Sequence, residues 1–317
     1  MQRCTVLLAG AITAVQATGQ EILRGPSTPP KNATFPNHLY AGHLRARRST
    51  PDEWRVVLNF PDTPPYFVES QRKAILLAAS VWESFISRGP ANTPSCTVSV
   101  RLYDGGLENN NRINLAQAGR NAADDPASGT ISFNKHVFQR GACSFCYNDA
   151  LLYDIALHEI GHVIGIMYGG RYTLSDYAKV VNGVLVFAGP KASDAYCRDV
   201  RPRPSPCNGI PLETEGGGGS AKHHWHQYKD EFRTFSGTTH FDHAIMTATY
   251  AWPSELSAMS IFALSDLGYT TSVCIDASDC PHNTTCIPHD IERVPKTCSR
   301  TNRADANAAC NKYKVPK

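Results

Sequence analysis

The run His158-Glu159-Ile160-Gly161-His162 constrains this chain more than any other feature, because it fixes a local conformation and a chemistry together. Histidines at i and i+4 stand one above the other on a single helix face, so the run acts as a unit only if it is helical. Their imidazoles can converge on a metal, and the glutamate between them can reach a water on that metal. Zinc lowers the pKa of such a water to about 7, where a carboxylate can take its proton and direct the oxygen at a carbonyl carbon. The chain has 12 His in 317 residues, and a chance His-Glu-x-x-His arises in roughly one chain in sixty of this composition. Ala150, Leu151, Leu152, Ile155, Ala156, Val163 and Ile164 predict the helix itself, with Asn148 or Asp149 placed to cap its start and Gly165 to end it. Gly161 costs a helix about 1 kcal/mol relative to Ala, so its position inside the run predicts close packing against another part of the chain. The alternative is a buried amphipathic helix carrying two satisfied core histidines.

A catalytic zinc needs three protein ligands and an open position, so the search continues downstream. In the compact version of this pattern the third histidine follows the glycine by three residues, but here that position is Tyr168. Glu213, Glu215 and Glu231 could serve a site with a carboxylate ligand, although the glycine after the second histidine does not belong to that class. A better source is Lys222-His223-His224-Trp225-His226, just after Gly216 to Gly219. These glycines lack the Lys and Ser/Thr of a phosphate loop, and are expected to give freedom to a segment returning to the metal.

Further motifs follow in order: His224-Trp225, 59 positions after Gly165, then Ala244-Ile245-Met246-Thr247, then Ser265-Asp266-Leu267-Gly268-Tyr269. With the glycine-rich stretch, this order resembles the leishmanolysin family of metzincin metallopeptidases, over about residues 52 to 270. The resemblance implies an α/β (α+β) fold: a metzincin, zincin-like catalytic domain with a mixed sheet and an active-site helix, here residues 49–270 with a long insertion at 166–223. It implies that His158, His162 and His224 bind one catalytic zinc ion, that Glu159 is the general base, and that Met246 in a methionine turn forms the floor beneath the metal. His224 is preferred over His223 and His226 because it directly precedes Trp225. Tyr250, four residues beyond Met246, is left outside the metal shell.

The flanks suggest export. Residues 1–19 read as a secretory signal, with Arg3, a largely apolar Val6 to Val15, and a cleavage site at Ala14-Val15-Gln16-Ala17. Residues 20–48 read as a propeptide ending in Arg45-Ala46-Arg47-Arg48, where a basic-specific processing protease would cut after Arg48. They contain no cysteine that could hold the metal of a zymogen. Of the 11 cysteines, setting Cys4 aside leaves an even number suited to disulfides in an oxidising compartment. Cys197 and Cys207 bracket a Pro- and Arg-rich loop and are expected to pair. If every remaining cysteine pairs, at least one bridge joins the residues before 270 to those after. Residues 271–317, with Cys274, Cys280, Cys286, Cys298 and Cys310, form a cysteine-rich tail too short and polar to hold a core alone. Asn32-Ala33-Thr34 and Asn283-Thr284-Thr285 are glycosylation acceptor patterns. No later stretch approaches the roughly 20 apolar residues of a spanning helix, and 31 basic against 28 acidic residues give no electrostatic footprint for nucleic acid.

Within the catalytic domain, Trp54, Val56, Leu58 and Phe60 alternate as a strand, and residues 69–87 follow a helical period through Ile75, Ala79, Trp82 and Ile86. Cys96 to Tyr103 and Gly129 to Asn134 predict further strands. The resemblance implies that the second lies at the sheet edge, where extended substrate could add by β-augmentation. Ser254 is placed to cap a last helix bearing Leu256, Met259, Ala263 and Leu267, with Gly268 at its end. The expectation is therefore a secreted zinc endopeptidase acting on extracellular proteins or peptides. The alternative is a catalytically silent adhesion or binding protein on a zinc-stapled scaffold, which would need the ligands but not Glu159.

Overall fold

The alternation that begins at Trp54 does produce a strand, and that strand opens a mixed five-stranded sheet. The computed structural model describes residues 5–10, 54–61, 67–105, 112–122, 125–138, 149–201, 204–215, 217–227, 231–233, 238–250, 254–273, 285–287 and 297–299. In chain order its first elements are β1 (Thr5–Gly10), β2 (Arg55–Asn59), α1 (Glu69–Phe85), β3 (Ile86–Arg88), β4 (Ser95–Tyr103), β5 (Arg112–Arg120), β6 (Ser128–Asn134), α2 (Lys135–Phe138) and α3 (Asp149–Val163), the motif helix. The sheet order is β1-β5-β6-β4-β2. Strands β2, β4 and β6 are parallel, β5 is antiparallel to β6, and β1 runs parallel to β5.

This order corrects the expected edge strand. β6 lies inside the sheet, paired with β4 on one side through Val100↔Ile131 and with β5 on the other through Ala118↔Ile131. Its burial agrees, because Ile131, Ser132, Phe133 and Asn134 are all buried. β5 is the strand beyond it, and Thr5–Gly10, within the expected secretory signal, lies alongside β5 as the outermost strand.

Helix α1 packs along the motif helix α3 and buries Ala74, Ile75, Leu77, Ala78, Val81, Trp82 and Phe85. The Trp82 indole N–H donates to Leu157 O at 2.8 Å, one residue before His158, and so ties the two helices at the level of the site. The helix ends at Phe85, two residues earlier than its period suggests, because Ile86 and Arg88 pair with Thr271 and Thr270 instead.

The insertion folds as a small lobe: the hairpin β7 (Ala178–Val181) and β8 (Val184–Phe187), the helix α4 (Pro190–Asp199), and the strand Ile210–Pro211 added to β8. The last helix, α5 (Ala258–Asp266), packs on α4. Its cap is Ser257, whose hydroxyl accepts from Ser260 N at 3.4 Å, and not Ser254. Asp266, at the far end of α5, accepts from Lys191 N at 3.1 Å and Ala192 N at 2.9 Å, satisfying the first-turn donors of α4 from outside that helix.

Cys197 and Cys207 form a disulfide within the lobe, consistent with an oxidising environment. Cys96 is a buried free thiol, which burial pushes up to about 12, so the premise that every cysteine pairs fails and the expected bridge between the halves loses its basis. On the tail backbone, Cys286 lies opposite Cys298 in an antiparallel pair. Cys143, Cys146, Cys274, Cys280, Cys310, Asn32, Asn148, Asn283 and the expected propeptide 20–48 lie outside the described residues. Among the described residues no helix is long and apolar enough to cross a membrane.

Candidate metal centre

Every residue of α3 from Ala150 to Val163 is buried, Asp154, His158, Glu159 and His162 included, so it is an internal helix. It ends in paired reverse bonds: Gly165 N donates to His162 O at 3.0 Å and Ile166 N to Gly161 O at 2.9 Å. This is the Schellman arrangement, with Gly165 at φ +130°, where glycine is favoured. A Cβ there would also meet Tyr172 O at 2.6 Å. Arg120 secures the same end by donating to Val163 O at 3.1 Å, Arg171 O at 2.7 Å and Tyr172 O at 3.2 Å. The reversal carries Ile166 O back to His162, whose Nδ1 donates to it at 2.5 Å.

Tyr168 N donates to His223 Nδ1 at 3.1 Å, so the insertion leaves and returns at adjacent points. The returning segment is then held on both sides. Leu212 bridges Trp225, with Glu213 N donating to His224 O at 2.9 Å and His226 N to Pro211 O at 2.8 Å. On the other side Trp225 N donates to Met246 O at 3.0 Å, and the Trp225 indole reaches Ser260 Oγ at 3.0 Å. Gly217, at φ +81°, starts a turn in which Ser220 N and Ala221 N both donate to its carbonyl, at 3.1 and 2.9 Å. Glycine therefore shapes an ordered turn here.

The three ring nitrogens converge. His158 Nε2 and His162 Nε2 lie 2.8 Å apart, His162 and His224 3.1 Å, and His158 and His224 3.2 Å. Each opposite nitrogen donates to a carbonyl: His158 Nδ1 to Ile245 O, His162 Nδ1 to Ile166 O, and His224 Nδ1 to Ser220 O at 2.9 Å. A carbonyl can only accept, so each ring carries its proton on Nδ1 and turns an Nε2 lone pair inward. Three lone pairs this close repel unless a cation lies among them. A tetrahedral ion with bonds of about 2.0–2.1 Å sets its ligands about 3.3 Å apart, close to the spacing found.

The site's electrostatics point the same way. Burial drives His158 down to about 4, against its bond to Ile245 O, and drives His162 and His224 well below the ordinary imidazole value. Burial also raises Glu159 well above the usual carboxylate range. Both Glu159 oxygens are buried and have no hydrogen-bond partner among the described residues. A divalent cation would supply the missing positive charge, and a water would supply the missing donor. His158, His162 and His224 thus fit a metal ion, the one such group among the described residues.

The other histidines of the cluster do different work. His223 accepts from Tyr168 N, and His226 Nδ1 lies 3.5 Å from Glu213 Oε2. Although burial pushes it up, bonds from His226 and from the Glu215 and Thr214 N–H groups bring the Glu213 carboxyl down to about 2. Neither Glu213 nor Glu215 joins the three histidines, and Glu231 lies outside the described side chains. Met246 is fully buried against Gly161, where a Cβ would meet its Sδ at 2.6 Å and Trp82 Cζ2 at 3.1 Å. The Tyr250 hydroxyl donates to Asp154 Oδ2 at 3.0 Å, one helical turn before His158. Sequence reasoning missed the three carbonyl acceptors and the contact between Glu213 and His226. A backbone carbonyl has no residue-type signal, whereas Glu213 could have been found by its place ahead of the glycines.

No protein-family model matches the chain, and a search of curated proteins finds no match.

Proposed function

We propose that this chain is a secreted zinc endopeptidase of the leishmanolysin type, built on a metzincin scaffold and acting on extracellular proteins or peptides. The observation that carries the reading is the convergence of three buried Nε2 atoms within 3.2 Å of one another, next to a buried glutamate whose oxygens have no hydrogen-bond partner among the described residues. Purely structural metal binding would account for the histidines but leave Glu159 without a task.

In this reading His158, His162 and His224 hold zinc, and Met246 packs behind the motif helix as its floor. Zinc, when bound, polarises the scissile carbonyl and acidifies water. Glu159 accepts a proton from the attacking water as that oxygen bonds to the carbonyl carbon. The same carboxyl then returns the proton to the amine nitrogen as the C–N bond breaks. The carbonyl bonds to the three Nδ1–H groups keep the rings from turning and fix their tautomer. Removal of residues 1–48 takes Thr5–Gly10 off β5 and frees a backbone edge on which an extended peptide can add.

The test is hydrolysis of casein by the chain cut after Arg48, before and after stripping with a chelator and again after zinc is restored. Activity lost on stripping and regained with zinc supports the reading. Zinc-replete protein that leaves casein and unfolded peptide libraries intact refutes it.

A further inference from the structure

Glu213 touches the segment carrying the third ligand through both its backbone and its carboxylate. It is buried, 5% exposed. Its backbone brackets His224, with Glu213 N donating to His224 O at 2.9 Å and Lys222 N donating to Glu213 O at 2.6 Å. Its Oε1 accepts from Thr214 N and Glu215 N, each at 2.8 Å, and so bends the chain into the glycine-rich turn. Its Oε2 faces His226 Nδ1 at 3.5 Å, beyond the ligand on the far side. The loop closed in this way contains Ser220, whose carbonyl orients the His224 ring.

His158 and His162 are set by a helix buried from Ala150 to Val163. His224 instead hangs on a turn between Glu213 and Trp225, and a turn that opens costs metal affinity even when the helix is intact. We propose that Glu213 is the positioning residue for the third ligand: its backbone closes the loop onto Lys222 and His224, and its carboxylate, holding Thr214 N and Glu215 N on one side and facing His226 on the other, fixes that backbone and so presets His224 Nε2 toward the other two imidazoles. The proposal rests on the reading of this site as a metal centre, but not on peptidase activity. Its carboxylate approaches the metal only through the loop it fastens, so Glu213 is not itself a catalytic residue.

The experiment compares the full chain with Glu213→Ala, Glu213→Gln and Glu213→Asp. It reads zinc affinity by competition with a chromophoric chelator, the visible absorption of the cobalt-substituted protein, and the Tm of the metal-free forms. Glu213→Ala should bind zinc about 10- to 100-fold more weakly, the range for groups that orient metal ligands, with an altered cobalt spectrum and a metal-free Tm close to the parent's. Glu213→Gln keeps a carbonyl oxygen for Thr214 N and Glu215 N and should recover most of the affinity. Parental zinc affinity in Glu213→Ala overturns the proposal. So does weakened affinity with an unchanged cobalt spectrum and a lowered metal-free Tm, which is general destabilisation. If Glu213→Ala does not fold, Glu213→Asp decides: its shorter arm should weaken zinc at parental metal-free stability, and parental affinity there overturns the proposal. Tight zinc binding by a parent that cleaves nothing refutes the peptidase reading alone.

Discussion

Gly161 and Met246 are in close contact, one residue before His162: a Cβ added to Gly161 would lie 2.6 Å from Met246 Sδ and 3.1 Å from Trp82 Cζ2. Glycine inside a helix is unfavourable, yet here it lets the helix settle onto the methionine and the indole. Gly161→Ala should therefore destabilise the protein by about 1–3 kcal/mol through overpacking, despite a helix-propensity gain of about 1 kcal/mol. Met246→Ala alone should cost about 2–5 kcal/mol by opening a cavity. The double variant should cost less than the two together, because the new methyl enters that cavity. Urea denaturation of the four proteins measures the coupling, and simple additivity would show that the two residues do not press on each other.

Among the clustered histidines only His224 faces His158 and His162. His224→Ala should lose bound zinc, measured by elemental analysis after gel filtration, while His223→Ala and His226→Ala should keep most of it. Loss of the metal on His223→Ala alone would place the ligand one residue too late.

Metal-free stability should fall with acid in a defined window. Burial holds His158 at about 4, and His162 and His224 well below 6.5, so below pH 6.5 the unfolded chain binds more protons at these sites than the folded one. The stability they contribute is full above pH 6.5 and is lost as pH falls toward 4. Glu159 acts in the opposite sense: its raised folded pKa favours the fold most below 4.5, with that contribution lost as pH rises through the folded value. The two effects oppose each other between pH 6.5 and 4, so the urea midpoint should fall more steeply with acid in Glu159→Gln than in the parent. A slope unchanged by Glu159→Gln contradicts this assignment.

Asp266 links the insertion to the last helix by accepting from Lys191 N and Ala192 N. Removing an acceptor at a helix N-terminus costs about 1–2 kcal/mol, so Asp266→Ala should lower stability by that amount and Asp266→Asn by less. Equal stability of Asp266→Ala and the parent in urea would show that water replaces the carboxylate at no cost.

The motif helix was legible because two ring nitrogens and a carboxylate sit within five residues, and Gly161 announced its close contact through the helix rule it breaks. The return of His224 to the other two histidines was legible through His224-Trp225: the indole N–H reaches Ser260 and the backbone N–H reaches Met246. β5 was not. Its centre, Asn114-Leu115-Ala116-Gln117-Ala118-Gly119, is made of weak strand formers and becomes a strand by pairing with β6. Strand order was hidden for a related reason, since the place of Gly129–Asn134 inside the sheet depends on neighbours distant in sequence. The last helix is capped by Ser257 and not Ser254 because Glu255 N bonds His243 O at 2.7 Å and Ile245 N bonds Glu255 O at 2.8 Å, which holds Glu255 beside Ala244 ahead of the helix.

Proton transfer by Glu159 is tested most directly by casein hydrolysis by the chain cut after Arg48 and by its Glu159→Gln variant at equal, measured zinc content. Glu159→Gln should keep its zinc and lose rate by at least about 100-fold, the usual contribution of a general base. Undiminished hydrolysis by Glu159→Gln would contradict that role.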